Sequence, residues 1–396
     1  MILQEGKTKQ QKRILGKEAV KTILHISYDL RPSICTTAVR SLIESASKIY
    51  DNISIDLMRV TSPSKEHVVG RGENYYEINS FGLPLGILLT ANLKRAGVKI
   101  FNTINLNRNI DIIHAHKLTF EGYIGYIYAL KYKIPLVITL RQTDFEVYKY
   151  RPDLRPKIRE IIKYASRIFY IVPGMKKMLI ERTGEDFYRK HAEPKMVYLP
   201  NIVDCKHYTN INEGYNKTHL LTILRMTRES VKRKNIKRLF MALSGLKDLD
   251  WKLDLIGNGE YYGKIEKWSE YYNIKDRINF LGEVNNGEIS SYYSAAGAFI
   301  LPSLMESFGM VYAESLLCGT PILYSKGVLG FEGVFSGVGS AVDPFSVESI
   351  RDGIRNIITE NETYRRNIRK LAESGSFNIF TSKYIGERYT ESLKDL

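Results

Sequence analysis

Twice along this chain, short β-type runs alternate with stretches of helical periodicity, and that doubled alternation restricts the fold more than any other feature. The first series reads as strands at Thr22–Ser27, Ile53–Arg59, Asp111–Ala115, Leu136–Leu140, Arg167–Ile171 and Met196–Leu199, with helical stretches at Thr36–Ile49, Glu121–Lys131, Asp153–Tyr164 and Pro173–Thr183. The second reads as strands at Leu220–Leu224, Trp251–Ile256, Ile278–Leu281, Ala298–Leu301, Ile322–Tyr324 and Ala341–Val342, with helices at Lys234–Leu246, Tyr261–Tyr272 and Glu288–Ala295. Such alternation implies parallel sheets with right-handed crossovers, hence an α/β fold of two Rossmann-like domains facing across a cleft. Ligands of open parallel sheets bind where loops leave the carboxyl ends of the strands. The polar stretch Lys206–His219 reads as a linker, giving a basic tail at 1–21, a first domain at 22–205, a linker at 206–219, a second domain at 220–375 and a terminal helical segment at 376–396. At 396 residues and 44% hydrophobic, the chain has material for two cores.

Charge divides along the same line. Residues 1–205 hold 33 Lys and Arg against 20 Asp and Glu, while residues 206–396 hold 25 against 23. The basic front half points to an acidic partner, such as anionic lipid, a phosphorylated acceptor or nucleic acid. Cys35, Cys205 and Cys318 share no metal-ligand or redox spacing, which suits reduced thiols in a cytoplasmic setting and implies no zinc site. The first twenty residues have no apolar segment of signal-peptide type, and no apolar run approaches the length of a membrane span. A cytoplasmic protein, touching the inner face of the cell membrane peripherally if at all, is the expectation.

Chemistry concentrates in Leu301–Pro321, LPSLMESFGMVYAESLLCGTP. Pro302 and Ser303 close a strand, Ser307–Met310 reads as the first turn of a helix, and Gly319 with Pro321 ends it. Free N–H groups at residues 307–310 would form an anion site, with Gly309 admitting a bulky group to the main chain. Glu306 and Glu314, with seven residues between them, would flank a diphosphate and accept from vicinal hydroxyls. This string resembles the donor-site motif of family-four retaining glycosyltransferases of the GT-B fold, the glycosyl transferases group 1. The resemblance runs from Thr22 onward and is tightest over residues 251–321.

What the resemblance implies is a donor site in the second domain and an acceptor side in the first. Ser307, Phe308, Gly309 and Met310 would meet the diphosphate, Glu306 the donor sugar and Glu314 the ribose. Gly257 and Gly259, in the strand-end WKLDLIGNG, would lie beneath the nucleotide, and main-chain groups at Leu281 and Gly282 would read the base. Leaving-group charge calls for fixed cations in place of a metal. Lys234 matches the family lysine; Arg225 fits the strand end and Arg228 the usual spacing, and both stay open. Glu332, in the Gly330-Phe331-Glu332 loop, is carried over at the base or sugar. In the first domain, DIIHAHK puts His114 and His116 on one face of a strand. His116 is expected to emerge at the cleft edge, where a histidine bonds a donor-sugar hydroxyl or a developing charge, whereas His114 packs. Arg141 and Asp144 of ITLRQTDF are expected to bind acceptor or donor. The loop Leu30–Thr37 lacks the family's glycine pair near phosphate and acceptor, so either Arg31, as an acceptor-binding residue, compensates with Thr36 and the helix N-terminus, or the acceptor docks differently. The last helix is expected to cross back onto the front domain.

The resulting expectation is a metal-independent, retaining glycosyltransferase with no cofactor beyond its substrate. It would move a sugar from a UDP- or GDP-sugar donor to a saccharide or lipid-linked saccharide acceptor, in cell-surface polysaccharide or glycolipid synthesis. Two alternatives stand beside it: a nucleotide-sugar epimerase of the same architecture, which needs acid and base groups at the sugar, and a non-enzymatic nucleic-acid binder drawn by the basic half.

Overall fold

A computed structural model describes residues 20–28, 30, 38–60, 65, 67–70, 74–81, 89–103, 109–203, 214–285, 287–328 and 330–396. Arg31, Thr36, Cys35, Cys205 and the apolar residues 85–88 lie outside them. Two compact units emerge: Met1–Phe169 with Leu179–Val197 and Tyr389–Leu396, and Tyr170–Met178 with Tyr198–Arg388.

The first unit is built on an eight-stranded sheet, β1 (Thr22–Ser27), β2 (Asp51–Val60), β3 (His67–Gly70), β4 (Tyr75–Phe81), β5 (Ile112–Ala115), β6 (Leu136–Leu140), β7 (Arg167–Tyr170) and β8 (Met196–Tyr198), in the order β3-β4-β2-β1-β5-β6-β7-β8. β1 pairs in parallel with β2 and β5, β2 with β4, and β5 with β6; β3 runs antiparallel to β4. Helices α1 (Ala38–Ala46), α2 (Leu89–Thr103), α3 (Phe120–Tyr132), α4 (Gln142–Tyr150), α5 (Arg155–Tyr164) and α6 (Met175–Thr183) connect the strands. β1, β5 and β6 are buried on both faces, as strands of a covered parallel sheet must be.

The second unit carries a six-stranded sheet of β9 (Asn216–Ile223), β10 (Lys252–Ile256), β11 (Ile278–Gly282), β12 (Ala296–Ile300), β13 (Ile322–Ser325) and β14 (Gly339–Val342), ordered β11-β10-β9-β12-β13-β14 and parallel throughout. Its helices are α7 (Arg228–Arg233), α8 (Ile236–Ser244), α9 (Tyr262–Tyr271), α10 (Ile289–Ala295), α11 (Met310–Leu317), α12 (Val347–Thr359), α13 (Asn361–Glu373) and α14, which begins at Ser382 and ends at Glu391.

Several elements differ from the sequence reading, each for a physical reason. His67–Gly70 and Tyr75–Phe81 pair as antiparallel strands that their mixed polar composition hides, because pairing of β4 with β2 supplies what local pattern does not. Asn216–His219 extends β9 into the expected linker; these residues gain partners from β12 and β10 despite their polar side chains. The helix expected from Lys234 opens at Ile236, since Asn235 is left-handed at φ 61° and separates it from α7. α2, α4 and α13 lie where no helix was assigned.

The chain end packs in the first unit. Tyr389 hydroxyl meets His114 Nδ1 at 2.8 Å, Tyr50 hydroxyl donates to Thr390 O, and Lys21 Nζ donates to Leu396 O at 2.6 Å. Arg167 donates to Ser392 O and pairs with Asp395. Among the described residues, no helix is long and apolar enough to cross a membrane. Cys318 is buried.

Candidate active site

In the second unit the site is assembled where β9, β10 and β12 end. Behind β12, the segment Leu301–Glu306 is stitched to the end of α7: Leu304 N donates to Arg233 O at 2.7 Å, and Asn235 Nδ2 donates to Pro302 O at 3.0 Å and Pro344 O at 2.7 Å. Asn235 is buried and tolerates its left-handed backbone as few other side chains do. It fixes the residue before it, Lys234, beside Glu306. Their side chains form an ion pair, and Ser303 Oγ donates to Glu306 Oε1 at 3.1 Å. The two groups are 22% and 9% exposed, so the pair is shielded yet reachable. Sequence reading named Lys234 and Glu306 but missed Asn235 and Ser303, the residues that hold them together.

The helix that follows starts later than expected. Gly309 sits at φ 87° as the N-cap of α11, a conformation that only glycine adopts without strain, so Ser307 and Phe308 belong to the loop. Phe308 is withdrawn into a cluster with Phe331 and Phe380, while Ser307 is exposed. The intrahelical ladder begins with Tyr312 N and Ala313 N on Gly309 O, at 3.0 and 3.2 Å. The N–H groups of Met310 and Val311 precede that ladder, so the free N–H groups of the helix start lie at 310–311 rather than at 307–310. Glu314, one turn on, accepts from Tyr293 hydroxyl at 2.9 Å. Burial pushes its carboxyl above the usual range, and the tyrosine hydrogen bond opposes that rise.

Gly257 and Gly259 occupy the strand-end loop as expected, at φ 132° and 147°. Gly257 N donates to Gly282 O at 2.7 Å and Met226 N donates to Asn258 O at 2.9 Å, which ties the ends of β9, β10 and β11 together. Gly282 is left-handed at φ 68° beside half-buried Leu281. Arg225, on the β9–α7 loop, and Arg228, the first residue of α7, are both exposed, and Arg228 N donates to Glu260 Oε1 at 3.2 Å. Glu332 is engaged locally by the main-chain N–H of Gly327. Its loop lies directly on the motif, since a Cβ on Gly330 would approach Ser307 O to 2.8 Å.

The first unit holds a buried histidine trio. His114 and His116 share a face, with ring centroids 4.0 Å apart, as the strand alternation requires. His116, however, does not emerge: it is 1% exposed, and its Nε2 lies 3.0 Å from Nδ1 of His25 on β1. The cause is strand order, which places β1 directly beside β5. His25 Nε2 lies 2.9 Å from Asn52 Oδ1, and His114 is bonded on both sides, by Tyr389 hydroxyl and by Thr139 Oγ1 at 2.8 Å. Burial lowers His25 to about 4 against the Asn52 hydrogen bond, and it lowers His114 and His116 well below the usual imidazole range, assisted by their neighbouring rings and Arg141. All three rings are neutral at physiological pH.

Asp144 is a correction. It is 2% exposed and wholly committed to the start of α4: Oδ1 accepts from Thr119 N at 3.0 Å and Thr119 Oγ1 at 2.9 Å, and Oδ2 accepts from Arg141 N at 2.8 Å. Burial raises its carboxyl while these bonds oppose the rise. It shapes the loop and offers nothing to an acceptor. Arg141, three residues earlier and half-buried, keeps its side chain close enough to act on the histidines electrostatically.

Residues 214–374 match the family model of glycosyl transferases group 1. The N-acetyl-alpha-D-glucosaminyl L-malate synthase of Bacillus anthracis is 25% identical over 298 residues, 73% of this chain and 75% of that protein. The alpha-monoglucosyldiacylglycerol synthase of Streptococcus pneumoniae is 30% identical over 235 residues, 54% of this chain and 51% of that one. Among solved structures, Anabaena Alr3699/HepE in complex with UDP and glucose superposes with a TM-score of 0.68 at 16% identity, covering 95% of this chain and all of its own. Neither the epimerase nor the nucleic-acid alternative is favoured by these likenesses. The Lys234–Glu306 pair beside the start of α11 thus lies inside the stretch that matches glycosyl transferases group 1, in a chain whose two-sheet α/β architecture is that of the GT-B glycosyltransferases it is similar to.

Proposed function

We propose that the protein is a retaining, metal-independent glycosyltransferase that moves a sugar from a UDP- or GDP-sugar to a saccharide or lipid-linked saccharide. The single observation that carries this is Lys234 fixed against Glu306 at the start of α11. A diphosphate leaving group gains negative charge as the sugar–oxygen bond breaks, and a preorganised ammonium with helix N–H groups stabilises it where it forms. Lys234 leaves Glu306 for the diphosphate, and Glu306 then accepts from donor-sugar hydroxyls. Glu314 serves the ribose, and the Gly257–Gly259 and Leu281–Gly282 loops border the base. In the first unit, His116 offers its buried ring to a substrate hydroxyl, and Arg141 serves the acceptor. On the retaining course the acceptor oxygen bonds the anomeric carbon on the face the phosphate leaves, and the hydroxyl proton passes to the departing phosphate oxygen. HepE, a structural neighbour, was solved with UDP and glucose, which supports a nucleotide-sugar donor.

Thermal unfolding in the presence of nucleoside diphosphates tests the donor class. A ligand at about 100 times its Kd adds ~2.7 kcal/mol, so UDP or GDP is expected to raise the melting temperature while oligonucleotides leave it unchanged. The reverse pattern removes the enzyme reading. Glu306→Gln is expected to raise the donor KM or lower kcat while the inhibition constant of the bare nucleoside diphosphate stays near wild type, because Glu306 serves the sugar. Equal loss of both moves Glu306 to the nucleotide end.

A membrane-borne acceptor fits the charge asymmetry, and the lipid named in the Streptococcus pneumoniae relative supports it. Exposed Lys94 and Arg95 lie on α2, which also carries Lys99 and exposed Val98, and exposed Leu130, Lys131 and Tyr132 end α3. Attraction to an anionic surface amounts to about 1 kcal/mol per basic residue and is screened over a Debye length of roughly 8–10 Å. Flotation with anionic vesicles at low salt, lost at high salt and weakened by charge reversal at 94, 95 and 99, is the expected result. Failure to float at low salt points to a non-membrane acceptor.

A further inference from the structure

The neutral histidine trio contains a hydrogen-bond chain whose polarity follows from its far end. Asn52 Nδ2 lies 3.2 Å from Tyr50 O, a carbonyl that can only accept, so the amide is oriented with Oδ1 towards His25. That oxygen can only accept as well, so His25 Nε2 carries the proton. A neutral imidazole has one proton, which leaves His25 Nδ1 bare, and its partner 3.0 Å away, His116 Nε2, must donate. His116, neutral in turn, is left with an unprotonated Nδ1. That atom is buried and has no hydrogen-bond partner among the described residues. A buried acceptor of this kind is costly unless something fills it.

We propose that Asn52 and His25 are positioning residues that lock His116 in the Nε2-protonated tautomer, so that its Nδ1 lone pair accepts a hydrogen bond from a hydroxyl of the sugar substrate. The proposal rests on the reading of His116 as a substrate-facing group given above. It assigns that residue a definite role: an acceptor for a substrate hydroxyl, neither a cation nor a hydrogen-bond donor to the substrate. The same geometry argues against a metal held by the trio. Three-histidine sites need three bare lone pairs converging at about 2.0–2.1 Å. Here one proton lies between His25 and His116, and both nitrogens of His114 are bonded to hydroxyls. The charged and titratable groups bearing on the chain are His114 on β5, Lys117 and Arg141 beyond the strand ends, and Tyr389 from the chain terminus.

The decisive variant is Asn52→Asp. A carboxylate there favours the imidazolium form of His25, whose Nδ1–H then donates to His116 Nε2 and forces the His116 proton onto Nδ1. Two readouts follow, both on the full chain. In histidine-labelled protein, imidazole nitrogen–proton correlations are expected to show His25 and His116 both protonated at Nε2 in the wild type, and His116 protonated at Nδ1 in the variant. The variant's kcat/KM for the donor is expected to fall roughly three- to tenfold at lower pH, the scale of one hydrogen bond, and to recover as pH rises and His25 loses its second proton. The wild type lacks that limb. Asn52→Leu, which leaves His25 unanchored, is expected to lose activity at all pH values with mixed tautomers. An Nδ1-protonated His116 in the wild type overturns the proposal, as does a variant Asn52→Asp with wild-type tautomer and profile, or stoichiometric zinc in the purified chain. Full turnover in His116→Gln instead takes down the substrate-facing reading on its own, because the spectra of the relay do not depend on it.

Discussion

Replacing Lys234 by alanine is expected to lower turnover roughly 10²- to 10³-fold, the scale of losing one preorganised charge stabiliser, while leaving the chain folded. The expectation rests on where the ammonium is held. Asn235 pins the backbone on either side of the pair to Pro302 and Pro344, and Leu304 N bonds Arg233 O, so Lys234 is presented by a rigid loop. Removing the side chain leaves this scaffold intact and Glu306 still bonded to Ser303. The pair is partly solvated, so its loss costs stability on the order of 1 kcal/mol or less. Steady-state kinetics with donor in excess, together with the melting temperature, separate the two effects. Wild-type turnover in the variant removes Lys234 from the diphosphate. A comparable loss in Arg225→Ala but not Arg228→Ala assigns the second cation to the strand end.

Gly257→Ala is expected to damage the fold rather than the chemistry, by an amount at the severe end for a single substitution, roughly 3–5 kcal/mol. Its φ of 132° lies in a region that L side chains rarely adopt, and an added Cβ would meet Leu224 O at 1.8 Å. That oxygen belongs to backbone at the end of β9, which cannot yield without breaking the bonds that join β9, β10 and β11. The chain's two tryptophans, Trp251 and Trp268, both belong to the second unit, so their fluorescence reports its unfolding selectively. Denaturant titration followed at the tryptophans is expected to show a transition displaced far to lower denaturant or absent. A midpoint corresponding to less than ~1 kcal/mol of loss would mean that the loop relaxes freely, and that glycine is kept there for something other than space.

These two residues mark what each level of description contributed. Gly257 and Gly259, Lys234, and the seven-residue spacing of Glu306 and Glu314 stand in the sequence because they are local: a strand end, a helix start and a turn each impose a residue type within a few positions. The strand–helix alternation is equally local, and it led to two parallel sheets. Partnership across the fold is not local. Glu306 and Lys234 meet only because β12 lies beside β9, and Asn235 matters only because Pro302 and Pro344 arrive next to it. His116 reads as an exposed strand-end residue until β1 is placed against β5, which covers it with His25. Asp144 reads as a ligand-binding carboxylate until Thr119 and Arg141 use both of its oxygens. Backbone dihedral preference and hydrophobic period are properties of neighbouring residues and are written in their order. Burial, the protonation of a histidine and the choice of a hydrogen-bond partner are set by groups tens to hundreds of positions away, and strand order alone brought those groups together.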